Sequence, residues 1–392
     1  MFMKIGQDLQ AWLAFNPTRK ASGFGVAVIL LVFFGSLWVP VLNETGNRVS
    51  PATIQTSVDI HFYQASAEIL FERPDEIFQL LVDTYSWEGT SPALGPPLFP
   101  ALLKVFSYGP DNTWPLALLY LVFGCGFMVI WIAVLQKRGM PFIGLAIIAL
   151  LPQTAWFTIS ISTDLPFALM VALFFYFYMD ADRSRGVIVW IVLLLMVVAR
   201  TNGLAIVLFY TGCLIFADDR PLRTRLLEVL LLGIATLLLS GVYLPSLLGT
   251  VEGSYVRFGH FGVGVDDYLD GLFASLPAIL DLPLSWATLF GAKTLYVVGL
   301  RPSYGDVSLL TLALRSAPGI LLLPGLILLM IRAPRRERYF VLFFLLPIFL
   351  GVTQDRYLLP IIPLVAFYGL QGYASLWVRV RGMARVLSPR RG

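Results

Sequence analysis

The side chains of this sequence that can take a proton or hold an anion stand at a few particular places. Asp59, His61 and Tyr63 share the stretch "SVDIHFYQASAEIL". Asp164 stands in "SISTDLP" and Arg200 in "VVARTNGLAI". His260 shares "GSYVRFGHFGVGVDDYLDGLF" with Asp266 and Asp267, and Asp355, Arg356 and Tyr357 are consecutive in "TQDRYLLPIIP". An ionised carboxylate can accept a proton and an imidazole titrates near neutral pH, while guanidinium groups donate several hydrogen bonds and never lose their charge. Each position also has a purely structural reading. Asp59 is an acidic residue suited to a helix N-terminus, and His61 is a polar residue at an interface. Asp164, followed by Leu165 and Pro166, has the form of an N-cap with proline in the first turn. Arg200 and Arg356 have stems long enough to reach a polar boundary from an apolar one, and Asp266–Asp267 reads as a solvated loop. The two histidines are too far apart to form a metal site by spacing, so no metal ligands are assigned.

The surroundings of these residues are apolar. The chain of 392 residues is 58% hydrophobic and 13% charged, with a mean hydropathy of +0.79. A soluble domain of this length has about a quarter of its residues charged, so the composition points to a polytopic membrane protein. About 20 apolar residues cross a hydrocarbon layer as a helix. On that basis spans are expected at 24–43, 114–136, 141–160, 165–180, 187–200, 202–217, 226–248, 309–331, 339–353 and 358–378. The polar, amphipathic start of the chain lacks the form of a cleaved signal. Cys125 and Cys213 both fall within apolar runs, which argues against a disulfide framework.

Lys and Arg sort consistently in this ten-span scheme. Lys4, Arg19, Lys20, Lys137, Arg138, Arg183, Arg185, Arg220, Arg223, Arg225, Arg332, Arg335, Arg336 and Arg338 and the basic C-terminal stretch all fall on one side. The positive-inside rule makes that side cytoplasmic, with both termini on it. The remainder is a single integral-membrane domain, 1–392, with two long outer loops, 44–113 and 249–308. The first carries interfacial helices around Asp59–Phe71 and in "SPALGPPLFPALLKVFSYGP". The second holds "PAILDLPLSWATLFGAKTLYVVGL", where Asp281, Lys293 and the charge parity favour a surface-lying or re-entrant hairpin over a span. The ionisable residues singled out above then gather at the outer face. Charge at membrane depth is costly unless it lines a polar cavity or meets a partner, which suggests one common cavity.

The order of these features resembles the GT-C superfamily of membrane glycosyltransferases, of the mannosyltransferase and aminoarabinose-transferase type. Asp59 in "VDIHFYQASAEIL" followed by "GPPLFPALL" is similar to that family's first outer loop. "STDLPFALM" resembles its short acidic outer loop, "ARTNGLAIVLF" its break between two helices, and "DRYLLPIIPLVAFY" its entry to a late span. The fold implied is all-α and polytopic, with about 10 transmembrane helices. The activity implied is inverting transfer of a sugar from a polyprenyl-phosphate-linked donor to a lipid, glycan or polysaccharide acceptor, at the outer face of a bacterial inner membrane. Under the resemblance Asp59 is the base that takes the acceptor proton, and Arg200 and Arg356 hold the leaving lipid phosphate. His61, Tyr63, Asp164, His260, Asp355 and Tyr357 contact donor or acceptor. Many relatives carry an acidic pair in the first loop, whereas here Ser57 and His61 flank the single acid Asp59. A divalent cation is therefore only an open candidate as cofactor. Membrane lipids are the implied surroundings, and nucleic acid is not a partner. A lipid-linked glycan polymerase or ligase, or a lipid or glycan transporter, are the alternatives. Asp59 speaks against the first, and the absence of repeated halves against the second.

Overall fold

The computed structural model describes residues 66–73, 96–106, 114–151, 154, 162–180, 186–241, 278–300, 309–350 and 355–387. All regular elements among them are helical. A short helix over 66–72 precedes α1 (Leu98–Phe106), α2 (Trp114–Lys137), α3 (Phe142–Leu150) and α4 (Asp164–Phe174). A π-helical turn, Phe175–Met179, extends α4. Then come α5 (Gly186–Ala199), α6 (Gly203–Phe216), α7 (Leu222–Ser240), α8 (Ala278–Val297), α9 (Leu309–Arg332) and α10 (Arg335–Leu350). A 3-10 helix, Asp355–Ile361, leads directly into α11, Ile362–Leu387.

The centre of the assembly is α4. It packs on α2, on α5 and on the 3-10 helix, while α5 and α6 pair and α6 lies on α10. The sequence of α4 is apolar all round, the pattern of a helix with no solvent face, and Leu165, Phe167, Ala168, Val171, Ala172 and Phe174 are all buried. Aromatic rings join its C-terminal end to three other helices. The Phe340 ring of α10 lies 4.8 Å from Phe175 and 5.4 Å from Phe209, in both cases edge to face, and 5.9 Å from Phe174. Trp131 of α2 closes the cluster 5.1 Å from Phe175. Edge-to-face pairs of this kind add to what area burial alone contributes.

The second close contact, between α9 and α11, depends on glycine. A Cβ on Gly325 would meet the Val365 carbonyl oxygen at 2.2 Å, and one on Gly369 would meet the Leu321 oxygen at 2.5 Å. The two backbones therefore approach to a distance that no larger residue permits.

The helix lengths correct the expected fold class. Among the described residues two helices are long and apolar enough to cross a membrane, Leu118–Lys137 and Arg356–Val378, rather than about ten. Expected span 24–43 lies outside the described residues. Of the others, 141–160 shows among its described residues a helix of nine residues, Phe142–Leu150, which ends at Leu151, and a helical Thr154. The spans at 187–200 and 202–217 yield helices of 14 residues each. At 1.5 Å per residue these reach about 21 Å, short of the roughly 30 Å hydrocarbon layer. The described part of 226–248 belongs to α7, Leu222–Ser240, and carries Glu228. In α9, Pro318 and Pro324 interrupt the hydrogen-bond ladder, and only Ser316–Arg332 is apolar throughout. Four charged residues open α10, Arg335 to Arg338. The polytopic GT-C architecture, and with it the integral-membrane localisation inferred from the sequence, is overturned on this ground.

Of the basic residues that suggested a cytoplasmic side, Arg138, Arg220 and Arg336 have partners among the described residues. Arg138 holds both Asp180, at 2.5 Å, and Glu337, at 3.0 Å. Glu337 also accepts a hydrogen bond from the Tyr368 hydroxyl. Glu228 accepts from Trp190 and Tyr210 and pairs with Arg220. The Arg336 guanidinium lies 3.7 Å over the Tyr178 ring. The second outer loop differs from expectation as well: its apolar part is one continuous helix of 20 residues, α8, not a hairpin.

Apolar side chains also stand exposed, in a row along α7: Leu226, Leu227, Leu230, Leu231, Ile234, Leu237 and Leu238.

Phe340→Ala removes the ring shared by α4, its π turn and α6. An unfolding free energy lowered by about 3–5 kcal/mol in denaturant titration is the expected result, and a loss below about 1 kcal/mol would show that the ring cluster does not hold these helices together.

Candidate functional site

The sequence places Asp164, Arg200, Arg356 and Tyr357 on three separate segments, and the structure brings them together. Asp164 is the first residue of α4, where a carboxylate is favoured by the N-terminal end of the helix dipole. The N-cap is Thr163 rather than Asp164, and its side chain makes no capping hydrogen bond. Two residues earlier, the Ser162 carbonyl accepts a hydrogen bond of 2.7 Å from the Tyr120 hydroxyl of α2. This bond fixes the turn from which α4 starts.

Arg200 owes its position to a break between two helices. Its backbone N–H closes the last turn of α5 on the Met196 carbonyl, and the Gly203 N–H then donates back to the Arg200 carbonyl at 2.9 Å. Only glycine fits at 203, since a Cβ there would lie 2.4 Å from the Met196 oxygen. The tight reversal leaves the Arg200 side chain at the junction, directed to Asp164. Arg356 and Tyr357 arrive on the 3-10 helix, which packs against α4. Arg200 forms an ion pair with Asp164 Oδ1. The Arg356 Nε lies 3.7 Å from Asp164 Oδ2. Tyr357 stands beside both cations, its ring centroid 4.3 Å from the Arg200 guanidinium carbon and 5.5 Å from that of Arg356. Cations over a tyrosine face are attracted by the ring quadrupole.

The depth of the three charges differs. The Asp164 side chain is 2% exposed, that of Arg200 15% and that of Arg356 26%. The carboxylate is thus enclosed, while the guanidinium groups lie between it and the surface. Among the described side chains of the cluster, one carboxylate faces two guanidinium groups. A carboxylate this deep requires cations close by.

Lys293 of α8 was noted in the sequence only as a charge that disfavours a span. It is fully buried. Its ammonium donates 2.6 Å to the Phe349 carbonyl in the last turn of α10. Burial pushes its pKa down from 10.5 to about 8. Neither Tyr120 nor Lys293 appears among the site residues expected from sequence. The signal for each was a lone polar side chain within an apolar helical run.

Asp59, His61, Tyr63 and His260 lie outside the described residues, and so does the side chain of Asp355. Among the described residues no group of three or more His, Cys, Asp and Glu is placed to hold a metal ion. No protein-family model, no curated protein and no solved structure matches this chain. The resemblance to GT-C glycosyltransferases is therefore corrected, and the inverting sugar transfer and enzyme class that depended on it fall with it. The many-span frame that would set Asp59 and the arginines on one outer face is replaced by shorter helices around an aromatic core.

Two outcomes test this site. Asp164→Ala leaves two part-buried guanidinium groups without their shared carboxylate, and the expected loss is about 3 kcal/mol in unfolding free energy. Unchanged stability would show that the ion pairs contribute nothing to the junction. Lys293 gives a pH signature whose sign follows from its lowered pKa. Folding disfavours the charged amine, so the penalty is fully present below about pH 8 and disappears as pH rises toward the unfolded value of 10.5. The full penalty amounts to about 3 kcal/mol. Lys293→Met removes it, so any stability advantage of that variant over wild type should shrink between pH 8 and pH 10. A difference that stays constant with pH would mean that the amine is not held in this way.

Proposed function

We propose that the Asp164–Arg200–Arg356–Tyr357 junction binds a ligand bearing a phosphate group, or another compact multiply charged anion. The observation that carries this reading is the convergence of two part-exposed guanidinium groups on one enclosed carboxylate, beside a tyrosine ring. Asp164 orients both cations. Each keeps part of its side chain exposed, where an anion can meet the pair. Guanidinium presents planar, fixed N–H donors that match phosphate oxygens in pairs. Tyr357 limits the orientations of both groups through its ring face, so part of the entropy of ordering two long side chains is lost on folding rather than on binding. No reaction is assigned to the site.

Titration of the full-length protein with inorganic phosphate, followed by calorimetry, tests the proposal. Arg356→Ala and Arg200→Ala should each weaken binding about tenfold or more, corresponding to about 1.4 kcal/mol per lost charged contact. Raising ionic strength should weaken wild-type binding as well, because the pair is only partly shielded from solvent. Equal affinity in wild type and both variants overturns the proposal, as does a wild type that does not bind phosphate at all.

A further inference from the structure

The arginine that lies nearest the surface in this cluster, Arg356, sits on a 3-10 helix whose Leu358, Leu359 and Ile361 are buried. That helix packs against α4 and against α8. On α8 stands Lys293, a lysine with no exposed surface. Its amine is bonded to Phe349, one residue before the end of α10 and shortly ahead of the 3-10 helix in the chain. The rings of Phe290, one turn before Lys293, and Phe349 are in contact at 5.8 Å. A lysine bonded to the last carbonyls of a helix complements both the orphan acceptors and the negative end of the dipole. A fully buried ammonium is costly, however, and apolar side chains of similar length fill such positions more stably.

We infer that Lys293 is a positioning residue: by capping the C-terminus of α10 from α8, it fixes the place where the 3-10 helix begins and so holds Arg356 and Tyr357 in register with Asp164. This rests on the phosphate-binding reading for its functional consequence, but its structural part stands apart from it. A residue retained for stability would lower stability when removed. A residue retained for position lowers order and affinity at the 3-10 helix while leaving global stability intact. Lys293→Met keeps the stem and removes the amine, and Lys293→Arg keeps a donor and the charge.

Three measurements on the full chain separate the outcomes. In hydrogen exchange, the amides of 355–361 should exchange at least tenfold faster in Lys293→Met than in wild type, with those of α6 unchanged and Lys293→Arg close to wild type. In thermal unfolding, the Tm of Lys293→Met should be no lower than that of wild type. In phosphate titration, Lys293→Met should bind at least fivefold more weakly, and Lys293→Arg should recover most of the loss. If Arg356→Ala abolishes phosphate binding while Lys293→Met leaves both affinity and exchange unchanged, the positioning role is wrong and the binding site stands. If wild type does not bind phosphate, the binding site is wrong, and the exchange at 355–361 alone decides the positioning role. A Tm lowered together with uniformly faster exchange across the helices would make Lys293 an ordinary stabilising residue and overturn the inference.

Discussion

The buried carboxylate of Asp164 is the constraint on which the junction depends. A charge with 2% of its side chain exposed cannot be solvated by water and must be solvated by the protein. Three devices do this here. The N-terminal end of α4 supplies a favourable dipole. The break at Gly203 delivers Arg200, and the 3-10 helix delivers Arg356. Each device requires a different helix to end or change its winding at this place. The convergence of α4, the α5–α6 reversal and the 3-10 helix is therefore a consequence of accommodating one charge.

The same helix carries a second charge demand at its other end. Beyond α4 and its π turn, Asp180 meets Arg138, which is shared with Glu337. Between the two lies the aromatic cluster around Phe340, built of phenylalanine rings and Trp131. The π turn contributes Phe175 to that cluster and Tyr178 to the face under Arg336. α4 thus acts as a rigid spacer, its two ends set by ion pairs and its middle by rings. Its sequence has a polar residue at each end and none between Leu165 and Phe175.

Much of the junction was legible in the sequence, and much of the fold was not. Asp164, Arg200, Arg356 and Tyr357 were readable because each interrupts an apolar run beside Pro166, Gly203 or Pro360, where helices change. Their separation along the chain concealed that they form one group. The number of membrane spans was misread because an apolar run does not reveal where a helix stops. The helix Phe142–Leu150 stops short of Pro152, and the runs at 187–200 and 202–217 give helices of only 14 residues. A helix apolar on every face is expected both in the core of a large protein and in a bilayer, and periodicity alone does not separate the two. The sorting of Arg and Lys has a similar degeneracy. Arg138, Arg220 and Arg336 lie together because acidic and aromatic partners hold them at one end of α4, so the alternation that looks like membrane sidedness also describes an ion-pair layer.

The two ends differ in how their charges are held, and this difference bears on what each can do. At the Asp180 end, Arg138 meets two carboxylates, Asp180 and Glu337, and Glu337 takes a further hydrogen bond from Tyr368. Close by, Glu228 is saturated by Trp190, Tyr210 and Arg220. Lys137 donates to the Asp180 carbonyl and Arg336 lies over the Tyr178 ring, so cations as well as carboxylates are engaged there. At the Asp164 end two guanidinium groups converge on one enclosed carboxylate, and guanidinium keeps its charge across the physiological pH range. Arg356 is the more exposed of the two cations and rides on the 3-10 helix, so the affinity of the junction should depend on how firmly that helix is seated on α4 and α8. The buried amine of Lys293 bears on that seating through the end of α10.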